Sequence, residues 1–415
     1  MNSKTLGIVA AGAIVLAAAA ALVVSNSNKP AESPAVGELV LPGLSTSAKD
    51  AAFIVVNTGG ATFTLEKKSG AWLLAEKSGY PVSIDKVRDL VVGLSQLKQL
   101  EPKTSRPDRY AEIGVDEPGP ALAQPAEAPP PAASQGAKVT IRDGASKPIA
   151  SIIVGKSRLG TKKSVFVRKD GDPQSWLAEG SLEIPRTAIA WLDTKISVLD
   201  RARLKRITIA HGEGAEASVL VLGRAAPEDQ TFQVESLPEG RALKENADTN
   251  PAATLLTFLS FEDVQPADAI FPEGSTPQAS YQAATFDGLV ITAKIATKEG
   301  KTWAVFDAAV DETALPSTVS TPPAEGSPPA PDPAARAQAI RDEAKAFHER
   351  HAGWAYEIAE FSARSLRATI EDYLAPVAAP PEPAGPDAGV PNPQPQPPTS
   401  GGSEGEQQAL PDSPK

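Results

Sequence analysis

The chain has 415 residues, with 40 Lys and Arg against 51 Asp and Glu, a formal net charge of -11 and no Cys. The acidic balance argues against nucleic acid or an anionic membrane surface as partner, since either needs clustered Lys and Arg. Without Cys there are no thiol nucleophiles, Cys-bearing zinc sites, haem attachment or lipoprotein acylation, and stability must come from a core large enough to do without disulfides.

The first feature in chain order is Leu6 to Val24, nineteen residues without a charge, preceded by Lys4 and followed by Ser25, Asn26, Ser27 and Asn28. At ~1.5 Å rise per residue a helix of this length spans roughly 28 Å, close to the ~30 Å hydrocarbon core of a bilayer. Eight of the nineteen are Ala, which contribute little transfer energy. The run is read as a retained transmembrane anchor; the alternative is a cleaved signal peptide with Val23-Val24-Ser25 at its end. Both readings export the body. Lys4 and the α-amine place residues 1–5 in the cytoplasm by the positive-inside rule.

A tether, 25–50, leads to short β-rich runs at Phe53 to Val56, Ala61 to Leu65 and Ala71 to Ala75, broken by Asn57-Thr58-Gly59-Gly60 and Ser69-Gly70. A helix is expected next, with Ser83 as N-cap, apolar residues from Ile84 to Leu100 at spacings of three and four, and Pro102 as its stop. The Pro- and Ala-rich segment 117–137 cannot build a core and is read as an insertion. Strands resume at Lys138 to Arg142, Ile149 to Val154 and Ser164 to Arg168, and a helix is expected at Ile189 to Ile196.

A second cycle opens with strands at Leu204 to Ala210 and Ser218 to Leu222. At an offset of 164 residues Val91, Leu94, Leu97, Leu100 and Pro102 fall on Leu255, Phe258, Phe261, Val264 and Pro266, which predicts a second Pro-ended amphipathic helix. Strands follow at Gln282 to Phe286, Leu289 to Ile295 and Thr302 to Phe306. After a second Pro-rich insertion, 315–334, come a helix from Ala337 to His351, a strand from Trp354 to Ile358 and a helix from Ser362 to Leu374 with Leu366 and Ile370 inward. The tail, 376–415, is Pro/Gly/Ser/Gln-rich and expected to be disordered. The predicted fold is therefore α+β: two similar, duplicated units of antiparallel sheet with packed amphipathic helices, 51–200 and 201–375, behind one N-terminal transmembrane helix.

Trp72-Leu73-Leu74, Tyr80-Pro81, the Leu-rich helix, Tyr110-Ala111-Glu112-Ile113-Gly114-Val115, Val154-Gly155 and Val165-Phe166-Val167-Arg168 together resemble the bacterial family called domain of unknown function 4340. Thr285-Phe286-Asp287-Gly288-Leu289 and Gly353-Trp354-Ala355-Tyr356 resemble its later half, so the likeness runs from Phe53 to Leu374 outside the two inserts. It implies a single-pass protein with an extracytoplasmic body, associated with ABC-type export or gliding-type transporter components. The family has no established catalytic residues, and none are carried over.

Several catalytic motifs are approached and missed. Ala150 to Ser157 fits the loosest phosphate-loop pattern, but Ser-Ile-Ile-Val inside it is a strand and no apolar helix opens at Lys156. His348 and His351 stand three apart, where the metalloprotease helix needs four; they are read as a solvated helix end with no metal. Ser95-Gln96-Leu97-Lys98 resembles Ser-x-x-Lys without its companion motifs. Glu262/Asp263 and Glu371/Asp372 are adjacent and diverge on a helix, so neither pair suits acid-base work. Trp72, Trp176, Trp191, Trp303 and Trp354 are read as core rather than as a carbohydrate platform.

No catalytic, cofactor-binding or metal-binding residue is assigned, and no cofactor is expected. The expectation is a non-enzymatic, membrane-tethered scaffold or accessory protein of the bacterial inner membrane, body outward, partnered by a transporter permease or envelope component. A glycan- or ligand-binding module would require Trp residues converging on a groove between the units. A hydrolase would require a converging nucleophile, base and orienting group, and a pocket holding His211 with a carboxylate and a Ser would overturn the accessory reading.

Overall fold

The computed structural model describes residues 36–119, 136–158, 160, 162–212, 218–235, 237–316 and 332–376. The expected anchor Leu6 to Val24 lies outside them, as do most of the tether's first half, nearly all of both Pro-rich insertions and the tail. Among the described residues no helix is long and apolar enough to cross a membrane.

The alternating β-rich runs pair as hairpins into two large antiparallel sheets, giving a mixed α+β protein with few helices. The first sheet contains β1 (Ala51–Asn57), β2 (Thr62–Lys68), β3 (Ala71–Leu74), β4 (Tyr80–Pro81), β5 (Lys98–Pro102), β6 (Ala137–Asp143), β7 (Pro148–Arg158), β8 (Ser164–Lys169) and β9 (Ser175–Glu179). The second sheet contains β11 (Leu204–His211), β12 (Ser218–Gly223), β13 (Gln233–Val234), β15 (Asp263–Pro266), β16 (Ala279–Thr285), β17 (Leu289–Lys298), β18 (Lys301–Val310) and β19 (Trp354–Ile358). A separate two-stranded ribbon pairs β10 (Lys195–Ser197), between the sheets in sequence, with β14 (Leu259–Ser260), which falls between β13 and β15.

Across the first sheet the order is β4-β3-β2-β1-β6-β7-β8-β9-β5, and across the second β13-β12-β11-β16-β17-β18-β19-β15. Apart from β4, the two orders coincide strand for strand. In each, one strand (β5, β15) crosses to the far edge beside the last strand, where Pro102 faces Trp176 and Pro266 faces Trp354. One continuous apolar cluster, from Val40 to Leu374, runs through both sheets.

Among the described residues three helices exceed a single turn: α1 (Ile84–Gln96), α2 (Pro333–His351) and α3 (Glu360–Leu366). The expected helix through Leu100 stops at Gln96. Leu97 is already extended and fully buried, and from Lys98 onward the backbone pairs with β9. A spacing of three between Leu97 and Leu100 suits a helix, but the ladder to β9 takes those amides instead. Ser83 occupies the N-cap position without a side-chain cap; its amide donates to the Trp191 carbonyl at 2.9 Å.

The second Pro-ended helix does not form. Residues 255–266 contain a 3-10 turn (Leu255–Thr257) followed by β14 and β15, and Phe258, expected inward, is 66% exposed. Thr254 and Thr257 turn their hydroxyls onto the carbonyls of Asn250 and Thr254, local bonds that compete with helix continuation. The 164-residue offset therefore matches β5 to β15, not helix to helix. Phe258→Ser is accordingly expected to change unfolding free energy by less than about 0.5 kcal/mol in urea titrations, where an inward helical Phe would cost several times that. The helix expected at Ile189 to Ile196 is one turn, Ile189–Trp191, and then β10. The last helix ends at Leu366, because Thr369 and Asp372 form a capping box that starts a new turn; Leu366 and Ile370 do face inward.

The Tyr110 to Val115 motif has a physical role. Its turn, closed by Gly114 at φ +72°, docks on the outer face of β7 and β8, where Tyr110, Val115 and Ile153 make a small separate core. Arg168 from β8 is buried beneath it, donating Nε–H to the Val115 carbonyl at 2.9 Å with its guanidinium 4.6 Å from the Tyr110 ring centre. Gly155 must lack a side chain, since a Cβ there would lie 2.3 Å from the Ile113 carbonyl oxygen and 2.9 Å from Val115 Cγ1. Gly155→Ala is expected to cost about 1–3 kcal/mol by overpacking, read as a lowered urea midpoint at unchanged slope.

Candidate functional site

The two sheets meet at an aromatic junction. Tyr80, from the short strand β4, enters the second half, with ring centres 4.9 Å from Trp354, 5.8 Å from Phe261 and 6.2 Å from Tyr356. Lys77, three residues earlier, forms an ion pair with Asp263 of β15. From Tyr80 a polar chain runs inward: its hydroxyl lies 3.5 Å from that of Tyr356, which is hydrogen-bonded to His351 Nδ1 at 2.8 Å.

His351 corrects the expected solvated helix end, for it is 1% exposed and packed on Phe347 and Phe306. Burial, reinforced by the neighbouring Arg350 charge, lowers its pKa to about 4, so the ring is neutral at pH 7. Burial likewise raises the Tyr356 and Tyr80 hydroxyls, which keep their protons. The sequence carried a signal for this: Ile340, Ala344, Phe347 and His351 follow one another at spacings of four, three and four, so His351 ends the apolar stripe of α2.

Its neighbour His348 is exposed and hydrogen-bonded through Nδ1 to Asp307 Oδ1 at 2.7 Å. This pair lines a cleft of about 470 Å³. The floor is the outer face of β17 and β18, with Thr292 opposite Asp307 and Lys294 opposite Val305. One wall is the loop carrying Phe271, Pro272, Ser275 and Pro277, and the other is the end of α2 with Gly353 and Trp354. Ser275 lines the same cleft, but no hydrogen bond joins its hydroxyl to His348.

A second cleft, of about 680 Å³, is lined by His211, Asp248, Ser365 and Asp372 together with Arg364 and Arg367. The residue types that would overturn the accessory reading thus do share one cleft. They are not linked as a relay: His211 Nε2 lies 3.3 Å from the Ala368 carbonyl, and Asp372 is occupied by the amide and hydroxyl of Thr369 at 2.7 and 3.0 Å. A nucleophile, its base and the orienting group need mutual hydrogen bonds, and none connects these three.

Of the remaining motifs, some lie on other elements than expected: Lys98 and Asp263 are in strands rather than on helices. Ala150 to Ser157 lies within strand β7, and Lys156 donates to the Glu112 carbonyl at 2.9 Å. Ser95 donates to the Val92 carbonyl, while Lys98 has passed into β5. Asp263 pairs with Lys77, and Glu371 with Arg241. Trp72, Trp191 and Trp303 are buried, whereas Trp354 is half-buried and lines the smaller cleft. Among the described residues no three His, Asp or Glu side chains are grouped to hold a metal ion.

The fold and its sites define an α+β protein of two like-ordered antiparallel sheets joined through an aromatic contact. The family model described as Domain of unknown function (DUF4340) matches residues 72–283, more than half of the chain, and the protein belongs to that family. The match reaches from Trp72 in β3 into β16, so the Gly353 to Tyr356 motif lies beyond it. No curated protein matches the chain.

Proposed function

We propose that the protein is a non-enzymatic accessory or scaffold subunit, tethered to the bacterial inner membrane by Leu6 to Val24 with its body on the extracytoplasmic side. The observation that carries this reading is how the chain downstream of the apolar run enters the body. Gly37 donates its amide to the Gln99 carbonyl at 2.7 Å, Gln99 to Glu38 at 2.8 Å and Val40 to Leu97 at 2.8 Å. Residues 37–40 thereby extend the free edge of β5 and close an edge that would otherwise pair with another chain. Such a body is held in place beside a membrane partner; the partner class, a permease of an ABC-type transporter, is what the family likeness implies.

In the same reading the two sheets are a duplication, supported by their matching strand order and by the Pro–Trp pair repeated at each far edge. The test is crosslinking and pull-down of the full-length protein from solubilised membranes, beside a chain lacking residues 1–28. An integral-membrane subunit is expected with the full chain. Recovery of the protein alone from the soluble extracytoplasmic fraction would remove both the anchor and the scaffold.

A second reading, a hydrolase, is favoured by the single fact that His211, Asp248 and Ser365 line one cleft. Ester hydrolysis by the body that His211→Ala abolishes would establish it in place of the first.

A further inference from the structure

We propose that the cleft at the end of α2 is a binding site for a small organic carboxylate with an apolar, aromatic or aliphatic, body. Its volume of about 470 Å³ falls in the range of small-molecule sites, which combine apolar walls with a few placed polar groups. Phe271, Pro272 and Pro277 on the loop, Val305 on the floor and Trp354 at the end supply the apolar surface.

Lys294 is the group in the cleft that favours an anion. Asp307 is already engaged, its Oδ1 accepting from His348 Nδ1 at 2.7 Å and from the Ala308 amide at 2.7 Å. Lys294, two residues from Thr292 on the same face of β17, has no hydrogen bond or ion pair to any described residue. The cleft therefore presents Lys294, a cation with no ion pair to a described residue, as the donor for a ligand carboxylate, while His348, donating Nδ1–H to Asp307, keeps Nε2 as an acceptor and takes no part in holding it. Thr292 and Ser275 add hydroxyl donors on the floor and the loop. A carboxylate on Lys294, with its hydrocarbon body against Phe271 and Trp354, satisfies both parts of the lining. A cationic ligand would be opposed by Lys294, and an uncharged one would forgo the charge-assisted hydrogen bond to it.

The probe is phenylbutyrate, added to the full chain carrying fluorotryptophan at its five Trp positions and followed by fluorine NMR, with lines assigned by single Trp→Phe variants. Phenylbutyrate is expected to move the Trp354 line and leave those of Trp72 and Trp191 in place. Lys294→Met is expected to raise its Kd roughly tenfold or more, the loss of one charge-assisted hydrogen bond, and Lys294→Arg to restore most of the affinity. Lys86→Met, on α1 in the first half, serves as the control with Kd unchanged. Lys294 is exposed, so these variants fold. The proposal fails if the Trp354 line stays still up to millimolar phenylbutyrate, or if phenylbutanamide moves it equally well.

Discussion

Tyr80→Ala is expected to lower unfolding stability by about 3–5 kcal/mol and to split thermal unfolding into two calorimetric transitions. The ring is 4% exposed, and its aromatic neighbours Phe261, Trp354 and Tyr356 all belong to the second half. Removing it opens a cavity at the place where the sheets are joined and leaves the Tyr356 hydroxyl without one of its two neighbours. Tyr80→Phe separates these contributions: the ring contacts stay, only a 3.5 Å hydroxyl approach is lost, and the expected cost is below about 1 kcal/mol. A single transition at nearly unchanged temperature for Tyr80→Ala would mean that the junction does not couple the halves.

Acid is expected to destabilise the protein through His351. In the unfolded chain this imidazole titrates near 6.5, and in the folded state at about 4, because burial excludes the charged form. Above pH 6.5 neither state holds the proton and the residue contributes no pH dependence. As pH falls from 6.5 to 4 the unfolded state binds a proton that the folded state refuses, so stability drops at up to ~1.4 kcal/mol per pH unit, reaching about 3 kcal/mol at pH 4 and levelling off below. Carboxylates add their own slopes in this window, so the measurement is a difference. Urea unfolding of wild type and His351→Gln across pH 7 to 4, values set by that window, should diverge by about 3 kcal/mol in favour of the variant as pH falls. Parallel curves would place His351 in contact with water.

Much of the fold was legible in the sequence because turns punctuate it. Asp143-Gly144, Asp170-Gly171, Asp287-Gly288 and Glu299-Gly300 mark hairpins that the structure contains, and the strands between them fall within a few residues of their expected bounds. Helices were less legible for a definite reason. Leu97-x-x-Leu100 and Phe258-x-x-Phe261 satisfy a helical spacing, yet both stretches run into an edge strand beside the last strand of a sheet. That pairing partner lies about 75 to 95 residues away, as the registers Pro102 with Trp176 and Pro266 with Trp354 illustrate, and no local pattern reports it. Tertiary hydrogen bonds decided against local periodicity in both places.

The clefts were less legible still. His348 with Asp307 and His211 with Ser365 join residues far apart in sequence, brought together by the return of the chain after each long connection. His351 could have been found, since it completes an apolar stripe. Gly155 could also have been given its reason, had the Tyr110 turn been placed over β7.

The proposed placement of the body outside the membrane, held by residues 6–24, can be tested directly. Because the chain has no Cys, one Cys introduced at exposed Thr46 reports location without background. Intact cells with a permeabilised outer envelope would be treated with a membrane-impermeant maleimide, and membranes then extracted with alkaline carbonate. Full labelling at position 46 is expected, with the labelled protein retained in the membrane pellet. Protection from the reagent until the inner membrane is lysed, or complete release by carbonate, would contradict it.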